Sequence, residues 1–136
     1  MSVKITDNSK QVLSAMEKAI ERGLEAIGTN AEYHAKRDPS MPVDTGLARN
    51  SITHAVSGKP ASIGQYKADK GDGHGSYSGT APNDEKKAVY IGSNVEYFPS
   101  IELGARNINA RHVLQRAATE HKDEYRQLME DSMKNA

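Results

Sequence analysis

The chain has 136 residues, 36% of them apolar and 5% aromatic, with one Phe, no Trp and a mean hydropathy of −0.74. That length fits one domain and excludes two ordinary ones side by side, and the low apolar content leaves a core that is thin or completed by a neighbouring subunit. Eighteen basic and eighteen acidic residues cancel, which removes the positive field behind non-specific nucleic-acid binding, and the absence of Cys excludes disulfides, thiol catalysis and cysteine zinc sites.

The opening "MSVKITDNSK" has no apolar signal region, and no apolar run approaches the roughly 18 to 20 residues of a membrane span, so a cytoplasmic start and no membrane partner are expected. From Ser9 to about Lys36, Val12, Met16, Ile20, Leu24, Ile27, Ala31 and Ala35 recur at steps of four or three, which predicts a long amphipathic helix with that row buried. Asp7, Asn8 or Ser9 are candidate caps, Gly23 and Gly28 weaken the helix, and "GTN" at 28 to 30 is a candidate bend. "RDPSMP" ends it, because a residue before proline is pushed out of helical angles.

"SITHAVSG" alternates as a half-buried strand does, and "AVYIGSNV", 88 to 95, is the strongest strand pattern in the chain. The stretch between them is polar and Gly-rich and reads as a flexible insertion loop, 58–87, that orders against a partner. From Asn109 onward, Val113 or Leu114, Ala117 or Ala118, His121, Tyr125, Leu128 or Met129 and Met133 predict a second long helix. The expected fold class is α+β: a single domain, 1–136, with an N-terminal and a C-terminal helix packed on a small antiparallel sheet.

Several stretches invite a chemical reading. In "MPVDTGLARNSI", an apolar residue before Asp-Thr-Gly imitates the catalytic turn of an aspartic protease, and "YIGSN" imitates the second signature of that class. In a dimer, two copies of Asp44 about 3 Å apart would share a proton and activate water. Such proteases are almost wholly β, however, and "LARNS" is a poor match after the motif. The plainer reading is a turn in which Asp44 or Thr45 accepts a backbone N–H and Gly46 eases the bend. "KGDGHGSYSG" lacks the Lys-Ser/Thr of a phosphate loop. Asp69, Asp72 and His74 match no calcium-loop spacing. The five histidines, His34, His54, His74, His112 and His121, include no pair four apart, so none is assigned as a ligand; His121 is expected on the packed face of the last helix. No catalytic residue, metal or cofactor is assigned. Lys59, Lys67, Lys70, Lys86 and Lys87, with Tyr77, make the insertion a candidate docking loop, nearly neutralised by Asp69, Asp72, Asp84 and Glu85.

"VDTGLARNSI", then "VYIGSNVEYFPSIELG", then "ARNINARHVLQRA" leading into a last helix, together resemble the head-to-tail joining and tail-completion family of tailed bacteriophages, often described as minor tail components. The resemblance spans residues 9 to 130 apart from the insertion. One departure is His112, where the family commonly has a proline. The resemblance implies a non-enzymatic neck or tail-end protein of the virion, forming a homo-oligomeric ring, six-fold by analogy, that contacts other neck and tail proteins and passes DNA with weak contacts. It also implies that Asp44, Thr45, Gly46, Arg49 and Ser51 are turn positions and that Tyr90, Gly92, Glu96, Tyr97, Glu102 and Gly104 serve structure and interface. Tyr97, Phe98, Ile101 and Leu103 gather apolar groups beside Glu96 and Glu102, a composition suited to a subunit contact or to capping the sheet. The alternatives are a dimeric protease using Asp44 and an interaction domain with no virion role.

Overall fold

The computed structural model describes residues 8–83 and 85–136. Its spine is α1, Ser9–Arg37, a helix of 29 residues and about 44 Å. Asn8 is its N-cap and makes no side-chain capping bond; Asp7 and Asp84 lie outside the described residues. The helix runs unbroken through both glycines. Its buried line follows the expected one only in part: Ala31 and Ala35 are buried and Ile20, Leu24 and Ile27 half-buried, but the other buried positions are the small Ala19, Gly23 and Gly28, while Val12, Leu13 and Met16 are exposed. The physical reason is close approach. A Cβ on Gly28 would lie 2.5 Å from His54 Cδ2 and 2.7 Å from Val89 Cγ2, and one on Gly23 would lie 2.6 Å from Met129 Sδ. The glycines that weaken the helix locally are where the rest of the chain packs onto it.

A turn at 38–46 leads to the short α2, Leu47–Asn50, and then to β1, Thr53–Val56, which pairs antiparallel with β4, Val89–Gly92, in the register Thr53 to Gly92 and Val56 to Val89. The chain is α+β, as expected, with this two-stranded sheet against α1.

Residues 58–87 contain a second antiparallel hairpin, β2, Gln65–Lys67, and β3, His74–Ser76, instead of running as an unstructured loop. Pairing begins well before the hairpin. Gly58 N donates to Ala81 O, Ala81 N to Lys59 O, and Tyr77 N to Gly64 O. The arm also doubles back along β1, where Ser62 N donates to His54 O at 2.8 Å. Composition concealed this because the arm is built from backbone bonds and turns rather than from buried area; Ala68 is its single buried apolar residue among those described.

After β4 come α3, Phe98–Leu103, with Pro99 in its first turn, and α4, Val113–Thr119. The predicted long C-terminal helix is in fact two, since α5, Lys122–Lys134, starts afresh after a break at Glu120 and His121. Tyr125 Oη donates to Ala117 O, so a side chain satisfies a carbonyl near the break. Arg116 holds α4 to the end of α1 through two bonds to Asp38, at 2.8 and 3.0 Å. α5 runs antiparallel to α1, with Ser132 Oγ donating to Ala19 O near one end and Asn30 Nδ2 donating to Glu124 Oε1 near the other.

The core gathers at the C-terminal end of α1: Ala35, Met41, Ala48, Ile52, Val95, Phe98, Val113 and Ala117. Among the described residues, six of the twelve buried apolar side chains are alanines, so this core supplies little buried area for a chain of this length. No helix among the described residues is long and apolar enough to cross a membrane.

Candidate functional site: the Asp-Thr-Gly turn and the surfaces around it

Thr45 forms the turn. Its Oγ1 accepts from Leu47 N at 3.3 Å, and its carbonyl accepts from Asp69 N at 2.8 Å and Lys70 N at 3.1 Å, so the tip of the arm closes onto the turn. Gly46 sits at φ +84°, where only glycine is comfortable, and a Cβ there would lie 2.5 Å from Asp69 Oδ2. Arg49 pairs with Asp69, while Asn50 donates to Asp69 Oδ1 at 3.0 Å and to Lys67 O at 2.9 Å. The "LARN" run is therefore a clasp for the arm. Asp44 is exposed and makes no hydrogen bond or ion pair among the described residues.

The two protease-like stretches meet at their serines rather than at a carboxylate. Buried Ser51 donates through Oγ to Ala48 O and lies 2.6 Å from Ser93 Oγ, and Ser93 Oγ accepts from Val95 N at 3.1 Å. Tyr77, assigned from sequence to a docking loop, points inward: its hydroxyl donates to Ser51 O and accepts from Asn94 N at 3.2 Å. Burial raises the Tyr77 phenol above its ordinary pKa, partly offset by the bond from Asn94. Tyr66 Oη donates to Asn94 Oδ1 at 2.5 Å, and its phenol is likewise raised by burial. Lys59, Lys67, Lys70, Lys86 and Lys87 are exposed.

The residues assigned to an interface divide into two groups. Phe98 lies in the core and Ile101 packs against it, so these two stabilise the subunit itself. Glu102 is an internal cap, because its two carboxylate oxygens accept from Leu114 N at 2.8 Å and Gln115 N at 3.0 Å, the free donors at the start of α4. Gly104 adopts φ +84°, with Ile108 O and Ala110 N 3.1 Å from where a Cβ would stand. Tyr90, Glu96, Tyr97 and Leu103 face outward, Leu103 being 72% exposed, and Gly92 is half-buried. His112 has φ +51°, which a proline ring cannot adopt. Its Nδ1 is the one buried side-chain polar atom without a partner among the described residues.

Two further features are not assigned from the sequence. Buried His54 lies between α1 carboxylates, with Nε2 2.5 Å from Glu25 Oε1 and Nδ1 3.2 Å from Glu32 Oε1. Burial opposes its charge, but the bonds it donates to Glu32 and Glu25 prevail and raise its pKa. Glu32 is held low, the penalty of burial being outweighed by hydrogen bonds from His54 and Ser62. The second feature is apolar surface: Val12, Leu13 and Met16 on α1, and a groove of about 710 Å³ floored by Ile27, Tyr125, Met129 and Met133 between α1 and α5. The expected face of α1 gave a hint of this, since large residues spaced for burial find too little of the chain to cover them.

Comparison with protein-family models, with curated proteins and with solved structures found no match.

Proposed function

We propose that this chain is a structural subunit of the neck or tail end of a tailed bacteriophage, assembling into a homo-oligomeric ring that joins capsid to tail and lets DNA pass. The observation that carries the reading is the mismatch along α1. Small residues are buried, while Val12, Leu13 and Met16 stand in solvent and the Ile27–Met129–Met133 groove lies open further along the helix. A lone subunit leaves this surface wet, and identical copies arranged head to tail around a closed axis would cover it. The resemblance carried by "VDTGLARNSI" and "VYIGSNVEYFPSIELG" supports the same assignment, with Tyr90, Tyr97 and Leu103 as further outward contacts.

The charge balance suits a conduit. Each phosphate neutralised by Lys or Arg adds affinity, and a net charge of zero keeps that drag low. The arm, clasped by Arg49 and Asn50, presents its lysines outward to a neighbouring neck or tail ring. The role is non-enzymatic, and the place of action is the virion.

Native mass spectrometry of the purified full chain, with electron microscopy of the same sample, tests the proposal. The expected result is one closed oligomer, six-fold by family analogy, with an open centre, retained by Asp44→Asn. A monomer at micromolar concentration would overturn it, as would peptidase activity lost in Asp44→Asn.

A further inference from the structure

His34 and His121 lie 87 positions apart in sequence, and their rings stack at 3.5 Å between centroids and 3° between planes. His34 stands in the last turns of α1 and His121 at the N-cap of α5, so the antiparallel packing of those helices brings them together. Glu124, in the first turn of α5, completes the group. Its Oε2 lies 2.7 Å from His34 Nε2 and 3.7 Å from His121 Nδ1, and the three donor atoms all fall within 4.8 Å of one another.

We propose that His34 Nε2, His121 Nδ1 and Glu124 Oε2 form a binding site for a borderline divalent transition-metal cation, with Zn²⁺ the type case. The donor set carries the choice of metal, because two imidazoles with one carboxylate suit zinc and its neighbours, whereas calcium and magnesium want oxygen ligands. Ligands at about 2.0–2.2 Å in a tetrahedron are a little over 3 Å apart, a spacing that the two measured separations from Glu124 bracket. The carboxylate is already oriented. Asn30 Nδ2 donates to Oε1 at 2.9 Å, which leaves Oε2 as the ligating atom and supplies the outer hydrogen bond that metal sites use.

Coordination requires the two rings to splay out of their stack so that both lone pairs converge, and side chains 24% and 32% exposed have room to do so. Binding through Nε2 leaves the remaining His34 proton on Nδ1. Three protein ligands leave a fourth position to water. The metal would staple the end of α1 to the start of α5, across the break that separates α5 from α4. This inference concerns the single subunit and does not depend on ring assembly.

The test uses the untagged full chain, titrated with Zn²⁺ by calorimetry and with Co²⁺ by visible absorption. The expected result is one ion per chain, a tetrahedral Co²⁺ spectrum and a melting temperature raised by Zn²⁺ and restored by chelator. His34→Ala and His121→Ala should each weaken binding at least tenfold, and Asn30→Ala, which removes the outer bond, should weaken it by about tenfold. Glu124→Gln provides a second, milder probe should either alanine variant fail to fold. His74→Ala, on the arm beside Asp72, should bind as the parent does. Absence of binding at submillimolar Zn²⁺, or binding unchanged in the His34 or Glu124 variants, would overturn the proposal. So would loss of binding in His74→Ala.

Discussion

Gly23 and Gly28 occupy the same helix and carry the same intrinsic penalty, so replacing either by alanine should stabilise α1 by roughly 0.8–1 kcal/mol if nothing else intervened. Their surroundings differ. At Gly28 the new methyl meets the His54 ring at 2.5 Å and Val89 at 2.7 Å; the ring is fixed on both nitrogens by Glu25 and Glu32, and Val89 belongs to β4. Neither can retreat without moving the sheet, and overpacking of this kind costs about 1–3 kcal/mol or more. At Gly23 the obstacle is the thioether end of Met129, at 2.6 and 2.8 Å, on a side chain that lines an open groove and can swing aside. Gly28→Ala is therefore expected to destabilise by about 1–2 kcal/mol and Gly23→Ala to be neutral or mildly stabilising, a separation of about 2 kcal/mol. In urea at fixed protein concentration, that separates the two midpoints by about 1 M. Gly28→Ala as stable as the parent, or Gly23→Ala costing as much as Gly28→Ala, would refute the close-approach account of α1.

Three further outcomes follow from the same contacts. The His54 pKa is raised from its ordinary 6.5, so its stabilising contribution is whole below that value and is lost as pH rises through the folded-state value, while the contributions of Glu32 and Asp38, both lowered, are lost as pH falls through theirs. Melting temperature should thus fall as pH rises past the raised His54 value, above 6.5, and His54→Gln should flatten that limb while leaving the acid limb in place. Removing the α4 cap with Glu102→Ala should cost about 0.5–2 kcal/mol by chemical denaturation, with Glu102→Gln milder. Arg49→Ala, which opens the clasp on Asp69, should change global stability by no more than about 1 kcal/mol yet speed proteolysis and amide exchange within 58–87.

Sequence periodicity located α1 to within one residue of its C-terminal end and placed both strands of the β1–β4 sheet, because those elements announce themselves in the spacing of Val, Ile and Ala. Of the row expected to be buried on α1, Ala31 and Ala35 are buried and Ile20, Leu24 and Ile27 half-buried, but Val12 and Met16 are exposed. Packed positions such as Ala19, Gly23 and Gly28 look featureless on a hydropathy scale, and the large residues draw attention away from them. The arm was illegible for a different reason: its order comes from main-chain bonds to Thr45 and from Asp69 held by Arg49 and Asn50, none of which leaves a periodic trace. Nor does composition separate α4 from α5, since the break at His121 carries neither Gly nor Pro. Of the site, the turn at Thr45 and Gly46 was readable from residue type, whereas the His34–His121 stack joins positions that only the fold brings together.

The first ten residues of α1, from Ser9 to Lys18, are exposed except at Ala15, where the burial is partial. A stretch of that length lacks the side-chain support that keeps short helices wound in water, so its winding is coupled to whatever covers Leu13 and Met16. Under the proposed ring assembly, these turns would unravel and rewind rapidly in the lone subunit and hold firm in the ring, making the leading end of the helix a reporter of association. A fluorophore attached there would register the arrival of a neighbour before any change reached the sheet.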